Sequence, residues 1–466
     1  MKPSASISVL FAALFLPACA VGPKYVKPDI SDITPAKWKW QEAVPKDASP
    51  RGEWWTVFHD SELNRLESMA VQNNQELRGA LARIDQSRAF VGVSSAALAP
   101  DISVKGAMQR EKTSGNPPSP VPISIPAAQI NSFSVPLALS YEIDLWGKIR
   151  RSVESAKANA DAVNADYHSV LVSLTGDVAA QYFALRSFDA ELVALRKTLG
   201  TQEKTIELIQ QRFTAGTLPE ADFAKAKSEL ATTKAQLADT KRLREETLSL
   251  LAVLCGQPAS NFAVQERPIS GQPPRIPAGI PSTLLERRPD VASAERKLAA
   301  RNADIGAAVA AYFPAISLTG QAGFLSKETS SLFTADSNVW SIGPKLDLPI
   351  SGYFVNKARV ARAKALREEA VAAYRQSVLG AIKDVETSLT QIRFRKEQGT
   401  ALDDAVTAAA KATELTRQRY ESGSVSYLEL LDAERTSLAS ERLAAQVKAQ
   451  SFIATVRLIR ALGGGF

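Results

Sequence analysis

The sequence predicts a mostly helical fold that also gives strands to a membrane β-barrel, built from two copies of one unit. Three observations carry that reading: an internal repeat of about 210 residues, pairs of long alternating strands, and helices longer than a globular domain uses. Each copy reads helix, strand, strand, long helix, turn, helix. The divisions are a signal peptide over 1–18, a lipidated N-terminus and first repeat over 19–254, and a second repeat over 255–466.

The chain opens on Lys2, the apolar run Ile7 to Leu16, and then Pro17-Ala18-Cys19. A basic start, a short apolar core and a small residue before the cut make a secretory signal. Leu16-Pro17-Ala18-Cys19 also resembles a bacterial lipobox, which makes Cys19 the acylated first residue of the mature chain. Ala20 stands where an Asp would favour inner-membrane retention, so outer-membrane sorting is expected. Beyond residue 18 no apolar run reaches the roughly 20 residues of a membrane-spanning helix.

The repeat is visible by eye. Leu208-Ile-Gln-Gln-Arg-Phe-Thr-Ala-Gly-Thr-Leu218 aligns with Leu415-Thr-Arg-Gln-Arg-Tyr-Glu-Ser-Gly-Ser-Val425, 207 positions later. Gly92 through Pro100 aligns with Gly306 through Pro314 at an offset of 214, the difference lying in a longer loop at 113–128. The elements of the first copy fall near 76–97, 100–112, 130–145, 151–212 and 219–254, and those of the second near 290–311, 314–326, 338–350, 355–420 and 427–462.

Phe133, Val135, Leu137, Leu139, Tyr141, Ile143 and Leu145 alternate with Ser134, Ser140, Glu142 and Asp144. Trp340, Ile342, Leu346, Leu348 and Ile350 alternate with Ser341, Lys345 and Asp347. Period two means one apolar and one polar face, as a barrel strand needs. A helix over 151–212 is roughly 93 Å long, and flanking helices of 22 and 36 residues stack to roughly 87 Å. Such matched lengths suit a tall helical cylinder. Its seams are dense in small residues, among them Ala156, Ala158, Ala160 and Ala162. Four strands cannot close a barrel alone, and an open edge cannot face lipid. Two, three or four copies would close it with cyclic symmetry.

Catalytic and cofactor chemistries find no support. His59 and His168 lie far apart, and Cys255 is the only cysteine beyond Cys19. No phosphate loop or nucleophile elbow occurs. The net charge of +7 is spread along helices, which disfavours nucleic-acid binding.

Several motifs then carry a resemblance. Trp54-Trp55-Thr-Val-Phe58-His-Asp60-Ser-Glu-Leu63, Leu284-Leu-Glu-Arg-Arg-Pro-Asp-Val291 with Ala311-Tyr-Phe-Pro314, Tyr141-Glu-Ile-Asp-Leu-Trp-Gly147 and Leu430-Leu-Asp-Ala-Glu-Arg435 cover almost the whole mature chain. The chain resembles outer membrane factors of the TolC family, in their lipidated drug-efflux (NodT-type) subgroup. The resemblance implies a homotrimer with a twelve-stranded β-barrel, a twelve-helix periplasmic barrel and an equatorial collar from about 45–75, 255–290, 395–405 and the C-terminus. It implies a passive duct for small molecules, joined to a periplasmic adaptor (membrane fusion) protein and an inner-membrane efflux pump. An outlet for protein secretion or metal efflux shares the same duct. The rival from another class is a non-conducting envelope lipoprotein.

The residues of interest cluster at two turns, Arg212-Phe213-x-x-Gly216-Thr217 and Arg419-Tyr420-x-x-Gly423-Ser424. Gly followed by Thr or Ser is expected to end one helix and cap the next. In the resemblance these turns are the periplasmic tips where adaptors dock, with Arg212, Arg419 and Tyr420 as candidate links between neighbouring tips. The family's constriction maps onto Leu428, Glu429, Asp432 and Arg435, of which 428, 432 and 435 share one helix face. The bland alternative is an ordinary Asp432–Arg435 pair. Asp222 and Lys225 occupy the repeat positions of Glu429 and Asp432, so the two hairpins are charged differently.

Overall fold

Alternation along the chain and hydrogen bonding between strands agree over Phe133–Ile143 and Trp340–Leu346. The structure, a computed structural model, describes residues 20–39, 52–115, 126–277 and 287–464, so the expected lipidation at Cys19 lies outside the described residues. Two units form. The first takes residues up to 28, 84–163 and 294–373, and the second takes 29–83, 164–293 and 374–466.

The helices are α1 (Ser61–Asn73), α2 (Gln75–Ala96), α3 (Lys148–Thr214), α4 (Glu220–Leu254), α5 (Pro289–Ala310), α6 (Tyr353–Glu421) and α7 (Tyr427–Ala461). The strands are β1 (Asp101–Val104), β2 (Ala107–Lys112), β3 (Gln129–Ile143), β4 (Ala315–Ser326) and β5 (Asn338–Asp347). All belong to one antiparallel sheet in the first unit, with β1 and β2 on one side of β3, then β4, then β5. Val135, Leu137, Leu139, Tyr141 and Ile143 lie opposite Phe324, Ala322, Gly320, Leu318 and Ile316. Ala322, Gly320 and Ile316 in turn face Trp340, Ile342 and Leu346. One sheet face is therefore apolar from β1 through β3 and β4 to β5, while β2 adds Met108 and then Arg110 and Lys112 to it, and Trp340 on that face is 73% exposed.

The strand predicted over 100–112 is broken at Lys105–Gly106. Its neighbour at that point is Pro136, which has no N–H to give to the ladder, so only the Lys105 N–H to Pro136 carbonyl bond remains at 3.1 Å. On the other side of Pro136 stands Gly323, where an added Cβ would come within 2.2 Å of the Val135 carbonyl oxygen. Asp144 and Leu145, read as strand, leave the sheet. Asp144 instead accepts from the N–H groups of Ile149 at 3.1 Å and Arg150 at 2.9 Å, starting α3. Trp146 stacks on Phe313 with centroids 4.6 Å apart and donates to the Pro314 carbonyl at 2.9 Å. The first described residues dock at this same bend: the Val21 N–H donates to the Trp146 carbonyl at 3.1 Å.

In the second unit the segment 61–73, part of the expected collar, is a capped amphipathic helix. Asp60 accepts from the N–H groups of Glu62 and Leu63, and Leu63, Leu66 and Ala70 are buried. Phe58 packs on Phe183 and Phe452 at 5.0 and 6.1 Å, and Trp54 donates to Thr175 at 3.1 Å. The tryptophan motif is thus a packing signature. Arg288 of the central motif bonds Asp290, Asp384 and the Ala461 carbonyl, tying the start of α5 to α6 and to the end of α7. Residues 395–405, also expected to join the collar, run uninterrupted inside α6.

Candidate functional site: the two hairpin tips

Both hairpins, α3–α4 and α6–α7, turn by the same motif in the second unit. Gly216 and Gly423 have φ of +72° and +77°, the left-handed region that suits glycine. Thr217 N–H reaches back to the Arg212 carbonyl at 3.0 Å and Ser424 N–H to the Arg419 carbonyl at 2.7 Å. Gly216 and Gly423 bond the carbonyls of Phe213 and Tyr420, completing a Schellman closure in each copy. This corrects the expected role of Thr217 and Ser424. They finish the first helix, and the Thr217 hydroxyl also bonds the Arg212 carbonyl at 2.9 Å. The next helix is capped two residues later, at Pro219 and Ser426.

The caps differ. Pro219 has no side-chain cap bond. Ser426 and Glu429 form a capping box, with the Glu429 carboxylate accepting from the Ser426 N–H at 3.3 Å. Glu429 therefore carries a local job at the start of α7.

Ile209 of α3, Ala226 of α4, Tyr420 of α6 and Tyr427, Leu430 and Leu431 of α7 make one apolar cluster joining the tips. Arg212, a candidate link between neighbouring tips, joins the two tips of this chain. Its guanidinium lies 5.2 Å from the Tyr420 ring centre and donates to the Glu421 carbonyl at 3.0 Å. Burial pushes the Tyr420 phenol above its ordinary range, against the opposing pull of Arg212. Arg419 is exposed, and its guanidinium has no partner among the described residues.

Leu428, Asp432 and Arg435 are exposed on one face of α7, as their spacing predicts. Arg435 does not pair with Asp432. Its Nε donates to Glu229 of α4 at 3.1 Å, and that hydrogen bond raises its pKa. The Asp432 carboxylate is left without a hydrogen bond or ion pair among the described residues, whereas Asp222 in the first hairpin is paired with Lys225 at 3.4 Å. Sequence reasoning missed Glu229, Arg417 and Glu434. Glu434 extends the buried stripe Tyr427, Leu430, Leu431 at helical spacing, and a charge in that stripe was the available signal.

An open-edged sheet with an apolar outer face, in a chain of long paired helices, defines a subunit of an outer-membrane channel. The pattern of the family described as "Outer membrane efflux protein" matches residues 66–257 and again 280–464, and the chain belongs to that family. It is 33% identical over 473 residues to outer membrane protein OprJ of Pseudomonas aeruginosa, covering 100% of this chain and 97% of OprJ. It is 31% identical over 463 residues to the pyoverdine export outer membrane protein OpmQ of the same organism, covering 99% and 97%. Among solved structures, the outer-membrane channel OprN superposes with a TM-score of 0.87 at 30% identity, over 96% of this chain and 99% of that one. The protein is an outer-membrane efflux channel component.

Proposed function

We propose that three copies of this chain form a passive duct for small molecules across the outer membrane and periplasm. The observation that carries this is the sheet of β1 to β5. Its apolar face suits lipid, while both its edges lack a partner strand among the described residues. Lipid tolerates no open edge, so neighbouring copies must supply the pairing. With β1 and β2 as the two halves of one broken strand, each copy brings four, so three copies give the twelve-stranded barrel that the resemblance implies, and the helical hairpins then line the periplasmic passage. A periplasmic adaptor docks at Arg212, Gly216, Thr217, Arg419, Tyr420, Gly423 and Ser424, and an inner-membrane pump supplies the energy. No catalytic step is assigned to the chain.

The mature chain begins at Cys19 and carries lipid there. Ala20 abuts Gly147 so closely that a Cβ on Gly147 would lie 2.8 Å from it. That contact sits at the strand-to-helix bend beside Trp146 and Phe313, where an aromatic pair suits the membrane–water interface and acyl chains would enter the bilayer.

The gate lies on α7 at Leu428, Glu429, Asp432 and Arg435. Three unpaired Asp432 carboxylates drawn to one axis would resist joint ionisation and attract cations. Asp432→Ala should raise single-channel conductance in planar bilayers at neutral pH, or weaken its block by divalent cations. Asp239→Ala, in the exposed pair with Arg242 at 2.8 Å, should do little. Equal effects of the two substitutions, or none from either, would place the gate elsewhere.

A further inference from the structure

Within the second unit the two hairpins are packed differently along their length. In the first, Leu195, Gln202 and Ile209 of α3 and Ala226, Thr233 and Thr240 of α4 are buried at seven-residue spacing, the period of a packed helix seam. In the second the burial is interrupted. Among the described residues, no side chain of α6 is buried between Leu389 and Thr413, and none of α7 between Glu434 and Val447. Beyond that span α7 is locked, with Val447, Phe452, Val456 and Ile459 all buried. On the tip side of it lies the apolar cluster that joins the turns.

Polar links tie this bare stretch of α7 to the first hairpin. Arg435 reaches Glu229 of α4, and Glu441 pairs with Lys197 of α3 at 3.1 Å. Both cations are mostly exposed, so each pair holds weakly. The third link differs in kind. Glu191 of α3, only 2% exposed, takes three donors on its two oxygens: Arg442 Nε and Nη2 at 3.1 Å each, and Gln446 Nε2 at 3.1 Å. Leu185, Leu192 and Leu195 anchor that stretch of α3 in the core, so it cannot follow a moving α7. A desolvated carboxylate gives up charge-assisted donors only at high cost, because its charge is then left unbalanced. We propose that Glu191 is a positioning residue, the fulcrum of the second hairpin, and that α7 parts from the first hairpin only on the tip side of it. Leu428, Arg435 and Arg442 stand seven residues apart on one face of α7, so a bend at Arg442 carries the other two with it.

This deepens the reading of α7 as the gate and rests on it, so the test has two arms on the assembled protein. The first is hydrogen exchange in wild type, Arg435→Ala and Glu191→Gln. Arg435→Ala cuts an exposed link, so amides in 435–441 should exchange about two- to fivefold faster while those in 442–446 keep the wild-type rate. Glu191→Gln keeps the shape and removes the charge, so amides in 442–446 should exchange about tenfold faster or more. Amides of α3 in 185–195 should stay at the wild-type rate, which a general loosening of the fold would not allow. Arg442→Gln, which cuts the same link from its partly exposed end, should give the pattern of Glu191→Gln. Acceleration past 442 in Arg435→Ala, none on its tip side, or wild-type exchange at 442–446 in Glu191→Gln would each overturn the fulcrum. The second arm is conductance in planar bilayers, which Arg435→Ala and Glu191→Gln should both raise. The expected exchange pattern with unchanged conductance in both would uphold the fulcrum and remove the gate from α7.

Discussion

Asp189 offers the sharpest test of how the hairpins are held together. It is fully buried in α3 and takes three donors: Arg186 at 2.8 Å, Arg244 of α4 at 2.7 Å and the Arg267 N–H at 2.9 Å. Arg244 also donates to the Val264 carbonyl at 2.9 Å, so one carboxylate binds two helices and the chain after α4. Asp189→Ala leaves the Arg186 guanidinium, 3% exposed, without its counter-charge, and leaves Arg244, 8% exposed, with only the exposed Glu245 at 3.1 Å. Removing one member of a buried pair costs about 3–5 kcal/mol, because the remaining charge stays desolvated. Asp177→Ala is the comparison. That pair with Arg460 has side chains 51% and 44% exposed, and solvent screening limits it to about 0–1 kcal/mol. A large membrane assembly unfolds irreversibly, so the readout is the rate of helix loss in detergent at a fixed high temperature. If the clamp opens before the barrier, Asp189→Ala should unfold about a hundredfold faster or more, since about 1.4 kcal/mol is tenfold. Asp177→Ala should stay within about fivefold of wild type. Similar rates for the two variants would refute the argument that burial decides which charge matters.

The remaining predictions are shorter. Glu67 is 0% exposed with neither oxygen bonded among the described residues, and burial raises its pKa well above the ordinary value. A raised folded pKa means the stabilising proton is fully held below the unfolded value and is lost as pH climbs through the folded one. Glu67→Gln should therefore gain unfolding temperature over wild type increasingly as pH rises, and a constant gap would end the idea. Cys19→Ser should abolish acyl labelling of the envelope-fractionated protein while leaving assembly intact, and unchanged labelling would remove the anchor. Mass measurement in detergent should give three chains, and a monodisperse monomer or dimer would dismantle the barrel.

Much of the fold was legible because it follows from periods. The 3.6- and 2-residue periods placed the predicted helices and strands to within a few residues, since those periods report directly on which face is buried. What escaped was set by residues far away in the chain. The break at Lys105–Gly106 is caused by Pro136 on another strand. Arg212 and Arg435 were singled out beside the hairpin turns, yet their partners lie 209 and 206 residues away, a distance over which spacing says nothing. The caps were shifted by two positions for a local reason: a Schellman closure occupies the residue after glycine, so the next helix cannot start there.

The two tips share a backbone and differ in what they load onto it. The turns have the same glycine conformation and the same back-bonds, so duplication preserved the hairpin as a structural unit. In the first, Asp222 and Lys225 neutralise each other, and two side chains, Arg212 and Glu229, reach across to the second. In the second, the capping box rigidifies the start of α7, Asp432 has no partner among the described residues, and Tyr420, Glu421 and Arg435 are the groups being held. Holding groups on one hairpin and held groups on the other is the arrangement of a frame and a moving part. The links between them are few, and the partly exposed ones are individually worth only about 0–1 kcal/mol. A partner pressing on the tips need not remodel the apolar seam to shift such a balance. If the proposed gate lies on α7, losing one or two of these links is enough to free α6–α7 while α3–α4 stays as the wall.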